Sequence, residues 1–194
     1  QIYELSNRFD LDDESSVPTW LASALFLGIA AAAWLASGLE VQKKPRRLWW
    51  IIALIGLVFS VDEIAGLHER VLQTVHVAFF QNSSPTQSDN AWLVLAPFLL
   101  AGAAGLGWSI WRNFPSRTFM IFAAAGLVFV SGAIVVDLLT TTSPRETFLN
   151  QGVLVAIEEG MELVGSAVGL FAVVSNIENH YGSKLVSAWR SLKK

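Results

Sequence analysis

The chain has 194 residues, 53% of them hydrophobic and only 15% charged, with a formal charge of −3 and no cysteine. Without cysteine, disulfides, thiolate metal sites and cysteine nucleophiles are excluded, and so small a net charge carries no signature of a nucleic-acid partner. Long uncharged stretches, such as Trp20 to Leu39, exceed the roughly 18 residues needed to cross a hydrocarbon core as a helix.

The expected fold is therefore all-α: a polytopic bundle of about five transmembrane helices that leaves no room for a second folded domain. Residues 1–17 form an acidic lead, with Asp10, Asp12, Asp13 and Glu14 before the first apolar stretch. A secretory signal has a basic lead, so that stretch reads as a retained span over about residues 18–39. The basic run Lys43-Lys44-Pro45-Arg46-Arg47 follows, then a second span over about 48–66 that is expected to continue as helix toward residue 80. A polar connector, Gln81 to Asn90, leads to a third span over about 91–111. The Arg112 to Arg117 turn introduces a fourth span over about 118–140, and the polar stretch Thr140 to Glu146 a fifth over about 151–176. Residues 178–194 place Tyr181, Leu185, Val186, Trp189 and Leu192 among basic residues at helical spacing, the pattern of an amphipathic helix lying on the inner leaflet.

Basic residues set the orientation. Ten of the thirteen fall in Lys43 to Arg47, the Arg112 to Arg117 turn and the tail, and excess Lys and Arg near span ends marks the cytoplasmic side. The N-terminus is expected outside and the C-terminus inside, in a bacterial inner membrane. Tryptophans agree: Trp20 and Trp92 fall at outer ends, and Trp49, Trp50, Trp108 and Trp111 at inner ends, as belt anchors do. Small residues crowd the spans, and Gly165 with Gly169 forms a GxxxG pair expected to pack inside the bundle.

Against this apolar background, acidic residues and histidine collect at Asp62-Glu63 with His68-Glu69, at Asp137, and at Glu158-Glu159 with Glu162. Each costs several kcal/mol at membrane depth unless offset, which marks a candidate site. At about 1.5 Å rise per residue all three groups fall in the outer half of the membrane. A seven-residue spacing gives Asp62, Glu69 and His76 one stripe, and Glu158 and Glu162, four apart, share a face of the fifth helix. Crowded carboxylates must take up protons, pair with cations or bind a metal. Arg70 is the basic residue nearest the group in sequence. The expected metal ligands are Glu63, His68, Glu159 and Glu162, with Asp62, Glu69, Asp137 and Glu158 as further ligands or supporting groups. Oxygen donors with one imidazole suit a divalent Fe, Mn, Mg or Ca ion better than Zn. The Glu-x-x-His motif of carboxylate-bridged two-metal bundles is missing, because Ala65 and Gln73 stand three residues before His68 and His76.

Three functions compete on these residues. One is a membrane metalloprotein, in enzyme form acting on a hydrophobic or lipid-like substrate; the second is a cation or proton transporter or channel component using the acidic pocket. The third is a non-catalytic accessory subunit, contacting lipid and other membrane subunits of a larger complex.

Overall fold

The computed structural model describes residues 16–67, 70, 71, 74, 96–136, 139 and 151–192, and among them every regular element is a helix. The first, α1 (Val17–Leu39), starts at Ser16, whose side chain accepts a hydrogen bond from the Thr19 N–H at 3.4 Å, with Pro18 in the first turn where its missing N–H does no harm. It stops where Glu40 turns to extended backbone.

The second helix, α2 (Lys43–Ala65), ends at Gly66, which has φ 54° and donates its N–H to the Asp62 carbonyl at 2.8 Å. That left-handed position favours glycine and closes a helix. The expectation of one uninterrupted helix from residue 48 toward 80 is thereby corrected. Leu67, Arg70, Val71 and Thr74 are helical again beyond Gly66, but not as a straight continuation of α2.

The third helix, α3 (Ala96–Asn113), and the fourth, α4 (Ser116–Val130), meet at Phe114 and Pro115. A π-helical turn, Ser131–Val136, continues α4. The fifth, α5, is one helix over Gln151–Leu192, 42 residues or roughly 63 Å. It is about twice as long as a bilayer core is thick. The tail from residue 178 is thus not a separate helix after the fifth span: through Leu192 it is the same helix, and Gly182 does not break it.

Val17–Leu39, Lys43–Ala65, Ser116–Val136 and Gly152–Ser183 are each long and apolar enough to cross a membrane. Their outward faces carry large apolar side chains, among them Leu127 at 70% and Trp20 at 61% exposure, and Phe98 of α3 is 74% exposed. Water would not tolerate so much apolar surface, whereas acyl chains do. The protein is a membrane-spanning helical bundle.

Small residues draw the helices together. A Cβ on Gly56 of α2 would stand 2.9 Å from the Phe26 carbonyl oxygen and 3.0 Å from the Ala30 nitrogen of α1, so the two backbones touch there. Gly165 of α5 meets Phe129 and the Ala125 carbonyl of α4, and Gly169 meets Ile29 of α1. The GxxxG pair is internal packing, as expected. In the bundle α1 lies between α2 and α5, α4 lies on the other flank of α5, and α2 and α5 stand at diagonal corners. Aromatic rings fill the remaining gap: Phe59 and Phe129 lie 6.1 Å apart, and Trp49 and Phe122 6.4 Å. Trp49 is fully buried, stacked on Phe114 at 4.5 Å, and is a core residue and not the belt anchor expected of it. Trp20, Trp50, Trp108 and Trp111 are exposed, as anchors are. By contrast α3 is peripheral: nothing lies within 4 Å of a Cβ built on Gly102, Gly105 or Gly107.

Candidate functional site: a carboxylate layer above an aromatic floor

Phe26, Phe59 and Phe129 form a triangle near mid-bundle, with ring centroids 5.2 Å, 5.8 Å and 6.1 Å apart. Gly165 of α5 touches Phe129 and so belongs to the same level. Between this floor and the acids, the Ser23 hydroxyl donates to the Ser60 carbonyl at 2.8 Å, satisfying buried polar groups between α1 and α2.

The acids begin one turn above this floor. Asp62 and Glu63 follow Phe59 by three and four residues, and Glu162 precedes Gly165 by three, so both sets stand about 5 Å beyond the rings. Glu158 and Glu159 lie one further turn out on α5. All five carboxylates are half-buried, and each takes part in a hydrogen bond, ion pair or other electrostatic interaction. The shared depth expected of these residues is present, on the two helices at diagonal corners.

Between them runs the π turn of α4. A Cβ on Gly132 would stand 2.9 Å from the Glu158 carbonyl oxygen, 3.0 Å from the Met161 Cβ and 3.4 Å from the Glu162 Cγ. Only hydrogen at that position lets α4 approach the acidic stretch of α5 so closely. The π turn also widens the helix by one residue, which shifts the register of whatever follows; such turns cluster at functional sites. Sequence reasoning missed this segment, since Ser131-Gly132-Ala133-Ile134-Val135-Val136 has the composition of any span. The lone signal was a glycine one position after a serine in an otherwise bulky apolar run.

His68, Glu69, His76 and Asp137 lie outside the described residues. The heptad stripe through Asp62, Glu69 and His76 required an unbroken helix, and the left-handed Gly66 removes that premise. Among the described residues, no three acidic or histidine side chains converge on one metal position. The described part of the site is thus two groups of acids brought to a common level, and not a closed cage.

At the opposite end of the bundle the structure reveals a polar clamp with no clear sequence signature. The Tyr181 hydroxyl of α5 donates to Glu40 Oε2 at 2.6 Å, and Glu40 Oε1 accepts the Gln42 N–H at 2.8 Å. Nearby, Asn176 donates its amide to the Thr118 hydroxyl at 2.9 Å, joining α5 to α4. These bonds fasten the ends of α1, α2, α4 and α5, where the sequence offered only a Glu after an apolar span and a Tyr in a basic tail.

No curated protein and no solved structure matches the chain. One family model does, over residues 3–177, a stretch that includes all the acids above and the five helices as far as Ile177. The chain therefore belongs to the family described as Domain of unknown function (DUF8692).

Proposed function

We propose that this membrane protein binds a divalent cation in its carboxylate layer, in the outer half of a bacterial inner membrane. One observation carries the reading: five half-buried carboxylates from two diagonal helices stand within two helical turns above one aromatic floor, while the described basic residues other than Arg70 gather at the other end of the bundle. Several carboxylates at one depth in a low-dielectric environment repel one another, and a divalent ion relieves more of that repulsion than any single side-chain cation. Glu63, Glu159 and Glu162 are the proposed ligands, with His68 supplying the imidazole and Asp62, Glu69, Asp137 and Glu158 completing or supporting the shell. This donor set suits Fe, Mn, Mg or Ca.

The floor of Phe26, Phe59 and Phe129 favours a bound cation over a transport path, because it puts three tilted or edge-on rings below the acids where an ion path would have to run. An ion held above the floor is positioned to activate water against a lipid-like substrate, with an unliganded Glu as base.

Metal analysis of detergent-purified protein tests the reading. A stoichiometric divalent ion is expected in the parent and should be lost in Glu159→Ala and Glu162→Ala. If no metal co-purifies, and both variants are as stable as the parent, the reading fails.

A further inference from the structure

The end of the bundle opposite the acids carries an unusual concentration of exposed cations. Helix α2 begins with Lys43, Lys44, Arg46 and Arg47, all exposed. Helix α3 ends with Arg112 and α4 begins with Arg117, both also exposed. Packing brings these three ends together, because Trp49, early in α2, stacks on Phe114 of the α3–α4 turn at 4.5 Å and lies 6.4 Å from Phe122 of α4. Six positive side chains thus ring one patch.

The patch is electrostatically unfavourable in isolation. Cations stabilise helix C-termini and oppose the positive dipole at N-termini. Both α2 and α4 start here without a side-chain cap, and α2 has four cations in its first five residues. Only Arg112 is at a favourable C-terminal position, and its guanidinium also lies 5.8 Å over the Trp108 ring. The one described acid of the polar clamp, Glu40, already holds the Tyr181 hydroxyl and the Gln42 N–H. The exposed tryptophans Trp50, Trp108 and Trp111 lie beside the cations, and such rings sit at headgroup level.

We infer that this patch is a binding surface for anionic phospholipid headgroups of the leaflet it faces. Phosphates would offset both the six cations and the uncapped helix ends, and the tryptophan rings set the depth at which a headgroup meets them. The surface is independent of the carboxylate layer.

The exposed tryptophans are built-in reporters. The full chain is reconstituted in vesicles of equal phosphatidylcholine and phosphatidylglycerol, with one or the other lipid brominated to quench fluorescence. Brominated phosphatidylglycerol should quench more strongly in the parent, and the preference should fall about two- to fivefold for each cation removed. The two variants are Lys43→Gln/Lys44→Gln/Arg46→Gln/Arg47→Gln and Arg112→Gln/Arg117→Gln, with helicity checked by circular dichroism. Should the fourfold variant fail to fold, the double variant decides. Equal quenching by both lipids in the parent, or a preference unchanged in the folded variants, overturns the inference. So does a preference abolished by inorganic phosphate at constant ionic strength, which would mark a site for free phosphate and not for lipid.

Discussion

Replacing Gly165 by Ala should separate α4 from α5, and the structure sets the size of the effect. The new Cβ would stand 2.8 Å from the Phe129 Cβ, 2.9 Å from its nitrogen and 3.0 Å from the Ala125 carbonyl oxygen. Ordinary contact begins at 3.4 Å, so the helices must part by about 0.6 Å. A gap of that size forfeits roughly a quarter of the dispersion energy along the seam, and overpacking of this kind costs about 1–3 kcal/mol. Removing a helix glycine returns about 1 kcal/mol, leaving an expected net loss of about 0–2 kcal/mol, against a gain of about 1 kcal/mol where the same substitution meets no neighbour. Gly105→Ala on α3 is the matched control: nothing lies within 4 Å of its Cβ, so only the favourable helix contribution remains. The assay is reversible unfolding in mixed micelles, followed by far-ultraviolet circular dichroism. The clash is chiefly with backbone and Cβ atoms, so Phe129→Ala should not rescue Gly165→Ala. If the Gly165 and Gly105 variants agree within about 0.5 kcal/mol, or if truncating Phe129 restores stability, the close approach of α4 and α5 is refuted.

Tyr181→Phe should lower stability by about 1 kcal/mol, read as an earlier unfolding midpoint, and an unchanged midpoint would show that the bond to Glu40 contributes nothing. A double-mutant cycle on Ser23→Ala and Ser60→Ala should give a coupling of about 0.6 kcal/mol, typical of hydrogen bonds between membrane helices; zero coupling would mean that the two serines act independently. Gly132→Ala should weaken cation binding by about tenfold, because it pushes α4 away from Glu158 and Glu162 without removing a ligand. Metal titration checks this, and an unaltered affinity would contradict a positioning role. Chelation of the bound ion should destabilise the parent by about 2.7 kcal/mol when the ion was present at a hundredfold its dissociation constant. The same treatment should leave Glu162→Ala unmoved.

The helices were legible because hydrophobic length and basic punctuation act locally. Trp20 to Leu39 cannot be anything but a span, and Lys43 to Arg47 must lie outside hydrocarbon whatever the rest of the chain does. Gly165 and Gly169 were readable for the same reason, since small residues on one helix face admit a neighbouring backbone. Trp49 was misread because adjacent tryptophans look alike in sequence. Trp50 faces outward, but Trp49, one residue and about 100° away, turns into the bundle against Phe114. Which of the two is anchor and which is core depends on the direction from which α4 approaches, and no local pattern records that.

The acidic layer shows the same division. Its depth followed from counting residues along each span, and Asp62, Glu63 and Glu162 do stand one turn above a common floor. Its angular arrangement did not follow, because that depends on two backbone departures from the ideal helix. Gly66 adopts φ 54° at the end of α2, and the π turn at 131–136 changes the register ahead of Asp137. Each departure lies between an acidic group and the segment where the next donors fall: Gly66 separates Asp62 and Glu63 from His68 and Glu69, and the π turn immediately precedes Asp137. A regular 3.6-residue period carried across either one assigns faces wrongly by up to a quarter turn or more. Both departures would have to be replaced together to restore the face pattern that a straight helix implies.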